Sequence, residues 1–136
     1  MTPQSRSSAL SGVRILVVED DNDTRELLRV LLETQGGQVR AASSVSEALD
    51  QYDQARPDVL VADIGMPDYN GYALIGRVRA RDRERGSIVP AIALTAYATA
   101  VDRDTVLSAG FQVHMPKPFD PGQLVSVIAN LAVQYR

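Results

Sequence analysis

Three stretches of this chain are apolar almost without interruption: Ile15-Leu16-Val17-Val18, Val59-Leu60-Val61-Ala62 and residues 88–95. Short runs of this kind, free of charge and rich in branched residues, are the pattern of strands buried on both faces. Two weaker candidates join them. Gln38–Ala42 carries polar residues that suit a sheet edge, and residues 111–115 make a short fifth run. Pro90 falls near the start of the fourth run, where a missing N–H is tolerable.

Between the strands, apolar residues recur at helical spacing. Leu27, Leu28, Leu31 and Leu32 predict a helix from about Asn22 or Asp23, stopped by Gly36-Gly37. Ser44-Val45-Ser46-Glu47 has the spacing of a capping box and opens a helix toward Ala55, closed by Pro57. Leu74, Ile75 and Val78 lead a third helix into a run of mixed charge, residues 79–85, which predicts a solvated helix end before Gly86. Residues 96–109 read as a fourth helix ended by Gly110. Asp120-Pro121-Gly122-Gln123 reads as N-cap, N1 proline and N3 glutamine of the last, with Leu124, Val127, Ile128 and Leu131 on one face.

Strand and helix therefore alternate about five times with short connections. That order predicts an α/β protein, a doubly wound parallel sheet with helices on both faces. With 136 residues the chain suits one domain. We expect that domain over residues 13–134, and a flexible tail or linker stub over residues 1–12, which are rich in serine and lack an apolar secretory core.

Parallel strands bring their carboxyl ends to one rim, where ligands of such sheets bind. Strand one ends in Glu19 and Asp20, strand three in Asp63 and strand four in Thr95, while Lys117 follows strand five. Taken singly, each has an ordinary explanation: acids favour helix starts, threonine favours strands, and lysine favours the surface. Together they form a set. Clustered carboxylates repel unless a cation joins them, and a hard oxygen set suits Mg²⁺. A carboxylate can also attack phosphorus to give an acyl phosphate, whose oxygens then need the kinds of partner that Mg²⁺, an ammonium and a hydroxyl provide.

Composition narrows the field. A net charge of −3 argues against a nucleic-acid module. The absence of cysteine removes thiol chemistry and suits a reducing cytosol, so a cytoplasmic location is expected. A single histidine, His114, rules out a multi-histidine metal site, and no apolar run approaches a membrane span.

The motifs Ile15-Leu16-Val17-Val18-Glu19-Asp20-Asp21, Asp63-Ile64-Gly65-Met66-Pro67 with Gly71, Ala93-Leu94-Thr95-Ala96 and Met115-Pro116-Lys117-Pro118-Phe119 resemble the receiver domain of two-component response regulators. The resemblance covers nearly the whole chain. It implies a flavodoxin-like sheet of strand order 2-1-3-4-5. It implies that Asp63 accepts a phosphoryl group from a phosphohistidine on a sensor histidine kinase or a histidine phosphotransfer domain. Asp20, Asp63 and the Gly65 carbonyl would hold Mg²⁺, with Glu19 acting mostly through water. Thr95 and Lys117 would bind the phosphoryl oxygens. Thr95 would also drive a switch of the strand 4/helix 4/strand 5 face. The Lys117–Pro118 bond is expected to be cis. Phosphorylation and dephosphorylation would be self-catalysed, in a signalling domain rather than a turnover enzyme.

Two departures bear on the switch and the site. The acid pair is Glu19-Asp20 in place of two aspartates, and His114 stands where many receivers have Tyr or Phe. The lead-in and His114 resemble receivers at the end of hybrid histidine kinases. A stand-alone receiver and one cut from a longer chain both fit, and oligomeric state stays open. Competing readings are an aspartyl-phosphate phosphatase of the haloacid-dehalogenase type, which normally has a second acid where Gly65 stands, and a flavodoxin-like FMN binder, whose phosphate loop is missing.

Overall fold

The structure is a computed structural model that describes residues 9–64, 71–95 and 100–135, residues 100–102 by their backbone alone. Its elements run β1 (Arg14–Val18), α1 (Asn22–Thr34), β2 (Gln38–Ala42), α2 (Val45–Gln54), β3 (Val59–Asp63), α3 (Gly71–Arg85), β4 (Ala91–Thr95), α4 (Ala100–Ala109), β5 (Val113–Pro116) and α5 (Pro121–Gln134). All five strands are parallel, in the order β2-β1-β3-β4-β5. Every residue of β3 and β4 is buried, whereas β2 alternates exposed and half-buried positions before its buried last residue, Ala42, as suits an edge strand.

Side-chain alternation divides the core in two. Leu16, Val18, Leu60, Ala62 and Ala93 face α2, α3 and α4 on one side of the sheet. Ile15, Val17, Val61, Ile92 and Leu94 face α1 and α5 on the other. Helix starts follow the expected chemistry. Asp21, Ser44 and Asp120 cap α1, α2 and α5 by accepting from the N–H of Thr24, Glu47 and Gln123. The return bond of the Ser44 box lands one residue earlier than usual: the Glu47 carboxylate accepts from the N–H and hydroxyl of Ser43.

Several expectations need correction. Leu10, assigned to the tail, is fully buried against Val13, Leu28 and Leu32, and its N–H donates to the Gln35 carbonyl at 2.9 Å. Burying a leucine contributes about 1.5–3 kcal/mol, enough to hold this end of the segment on the domain. β4 begins at Ala91, after Pro90, and β5 begins at Val113; Phe111 packs into the core under α4 instead of extending the strand. Of the four leucines on α1, Leu28 and Leu32 are buried while Leu27 is 61% exposed.

The largest correction concerns the end of α3. Asp82 is 2% exposed, not solvated. Its carboxylate accepts from Tyr52 Oη, from Arg56 at 3.1 Å, from Arg79 at 2.6 Å and from the Val89 N–H at 3.1 Å. Arg79 in turn donates to the carbonyls of Val89 and Gly110 and to Gln112 Oε1. Burial and the Asp82 hydrogen bond push the Tyr52 phenol above its ordinary range. Asp82 lies four residues after Val78, on the same helical face, so it enters the core where a polar group must find partners.

Candidate functional site

Register sets the rim. Val18 pairs with Ala62 and Asp63 with Leu94, so Glu19, next after Val18, ends beside Asp63. Thr95 pairs with Pro116, and its carbonyl accepts from the Lys117 N–H at 2.6 Å. The first residue of α3 packs closely on the residue after β3: a Cβ on Gly71 would lie 2.2 Å from Ile64 Cγ2, so no side chain fits there. Gly65, whose carbonyl was expected at the site, and Ala96, which ends the Thr95 motif, lie outside the described residues.

The rim residues fall into two bonded sets. In the first, the Lys117 ammonium reaches across from the β5–α5 loop, donating to Glu19 Oε1 at 3.2 Å and to Asp63 Oδ2. Both carboxylates are buried, Glu19 at 1% and Asp63 at 5% exposure. Burial and a hydrogen bond with Asp63 push Glu19 up to about 7. Burial works against the Lys117 charge, yet its bonds to Asp63 and Glu19 outweigh that and hold its pKa above the ordinary value. The Glu19 carbonyl is held by Arg25 at 2.9 Å, and Glu19 Oε2 accepts from the Asp21 N–H at 3.1 Å. The Lys117–Pro118 bond is cis, as expected.

In the second set, Thr95 is buried at 6% exposure, and its Oγ1 lies 2.6 Å from His114 Nε2. Alternation explains the division. Asp63 follows Ala62 onto the α1/α5 side, whereas Thr95 and His114 share the α4 side with Ala93. The sequence named all of these residues. It did not reveal that Glu19 touches Lys117 directly or that His114 and Thr95 are bonded, because both depend on pleat phase at strand ends.

The donor set suits a hard cation. Two buried carboxylates share one ammonium, so with both ionised the pocket is short of positive charge. Among the described residues no group of three or more His, Asp or Glu is arranged to hold a metal ion. Glu19 and Asp63 are the pair at hand, with half-buried Asp20 adjoining them in the chain.

Residues 15–129 match the family model of the response regulator receiver domain. The chain belongs to that family. An uncharacterized 14.6 kDa protein of Leptolyngbya boryana is 43% identical over 126 residues, covering 93% of this chain and 95% of that protein. The transcriptional regulatory protein TrcR of Mycobacterium tuberculosis is 36% identical over 121 residues, which is 89% of this chain but 46% of TrcR. The receiver domain of the Francisella response regulator 1452 superposes with a TM-score of 0.83 at 24% identity, covering 92% of this chain and all of that domain. This receiver therefore has the doubly wound fold expected of it, and the haloacid-dehalogenase reading is not favoured. Among the described residues no helix is long and apolar enough to cross a membrane.

Proposed function

We propose that this receiver takes a phosphoryl group on Asp63 from a phosphohistidine of a sensor histidine kinase or a histidine phosphotransfer domain. An Asp63 oxygen attacks phosphorus and the P–N bond breaks. Its electron pair stays on the donor nitrogen, which takes up a proton from solvent. Lys117, already hydrogen-bonded to Asp63, moves its charge onto the transferred oxygens, and Thr95 donates its hydroxyl to one of them. Asp20, Asp63 and the Gly65 carbonyl would hold Mg²⁺, with Glu19 acting mostly through water. Bound there, the ion supplies the positive charge that the pocket lacks. Water later attacks phosphorus, the P–O bond to Asp63 breaks, and the carboxylate returns.

The observation that carries this reading is one ammonium shared by two buried carboxylates at the carboxyl end of the sheet. A partner has somewhere to rest. A depression of about 460 Å³ beside Lys117 is lined by Leu27 of α1, by Pro118 and Phe119 of the loop into α5, and by Pro121 at the start of α5. The drawing of Thr95 toward the phosphoryl group would shift the β4/α4/β5 face and signal a downstream partner.

The test is labelling of the purified chain by acetyl phosphate, with and without Mg²⁺. Label should appear only with the ion and vanish in Asp63→Asn. Undiminished labelling of that variant would defeat the assignment.

A further inference from the structure

The Thr95–His114 contact is not an aromatic side chain resting near a hydroxyl. It is a hydrogen bond at 2.6 Å between the hydroxyl assigned to the phosphoryl group and a titratable ring. The ring's protons decide what that hydroxyl can do. With its proton on Nδ1, the neutral imidazole accepts at Nε2 and takes up the Thr95 O–H. The imidazolium has no acceptor and can only donate to Oγ1, leaving the hydroxyl proton for another oxygen. We propose that His114 is a positioning residue whose protonation state turns the Thr95 hydroxyl either toward the ring or toward the phosphoryl group on Asp63. The inference rests on the phosphoacceptor reading above and adds to it a coupling between pH and the phosphorylated state.

Few charged groups surround the ring. His114 is half-buried. The neighbouring strand β4 carries no charged residue from Ala91 to Thr95, and α5 carries none from Pro121 to Gln134. On α4, which packs against β5, the charged side chains among the described residues are Arg103 and Asp104, both exposed. Lys117, farther along the chain, is engaged by Glu19 and Asp63.

Coupling of this kind is reciprocal. If the imidazolium frees Thr95 for the phosphoryl group, then phosphorylation must favour the imidazolium. His114 is the chain's one histidine, so its ring ¹⁵N signals are unambiguous. They should be followed against pH in the unmodified chain and in the chain held phosphorylated by acetyl phosphate and Mg²⁺. The expected results are a neutral ring protonated on Nδ1 at pH 8, and a midpoint that rises by roughly half to one unit on phosphorylation. Thr95→Val should abolish that rise. His114→Gln, which does not titrate, should flatten the pH dependence of labelling relative to the parent chain by about threefold between pH 8 and 5.5, the equivalent of half a unit. A neutral ring protonated on Nε2 overturns the proposal whether or not the chain is labelled. A labelled chain with an unmoved midpoint overturns it while leaving the phosphoacceptor reading intact, and failure of the parent chain to label defeats that reading instead.

Discussion

Both ends of this sheet bury carboxylates beside cations, and the two clusters are built on opposite balances. At the amino end one carboxylate, Asp82, faces two guanidinium groups, a phenol and a backbone N–H. Arg56 also donates to the Ser87 carbonyl, and Arg79 to the carbonyls of Val89 and Gly110 and to Gln112 Oε1, while the buried Arg56 Nε has no hydrogen-bond partner among the described residues. At the carboxyl end two carboxylates face one ammonium, and Glu19 is pushed up to about 7. The first cluster joins α2, α3 and the approaches to β4 and β5. The second is left short of positive charge at the place where strand ends open to solvent. Burial alone does not mark a reactive site; a buried acid whose charge is incompletely matched does.

The comparison can be broken most directly by exchanging the clusters' roles in experiment. Asp63→Asn should lose all acetyl phosphate labelling yet unfold at nearly the parent's urea concentration, since Glu19 remains to pair Lys117. Asp82→Ala should do the reverse. It strands Arg79 and Arg56 and should cost about 3–5 kcal/mol in urea unfolding, while the folded fraction still labels. Equal labelling losses in the two variants would erase the distinction.

The pH dependence of stability sharpens it. Glu19 titrates higher folded than its ordinary value of 4.5, so between roughly pH 4.5 and 7 the native state binds more protons than the unfolded chain. Its contribution therefore falls as pH rises through that window. Glu19→Gln should remove this slope from the urea midpoint, and added Mg²⁺ should flatten it by favouring the ionised form. The smallest effect belongs to an exposed pair. Arg81 donates to both oxygens of Asp53, at 2.8 and 3.2 Å, joining α3 to α2 at the surface. Arg81→Ala should cost less than about 1 kcal/mol in the same unfolding measurement, because water competes for both partners.

Strand and helix order, the capping residues Asp21, Ser44 and Asp120, and the rim residues Glu19, Asp63, Thr95 and Lys117 were legible along the chain. Each depends on local periodicity or on strand ends sharing a rim. Asp82 was legible in part: its i+4 spacing from Val78 puts it on the apolar face, but the surrounding run of arginines masks that signal. The burial of Leu10 was not, because its partners, Leu28, Leu32 and the Gln35 carbonyl, lie far along the chain.

The chain by itself thus determined which side chains reach the carboxyl rim, since alternation of apolar runs and amphipathic segments admits few parallel topologies. Only the tertiary structure decided how they divide. Pleat phase sends Glu19 and Asp63 to Lys117 on the α1/α5 side and pairs Thr95 with His114 on the α4 side. A shift of one residue in strand register would exchange those faces, and register is settled by packing across the whole sheet.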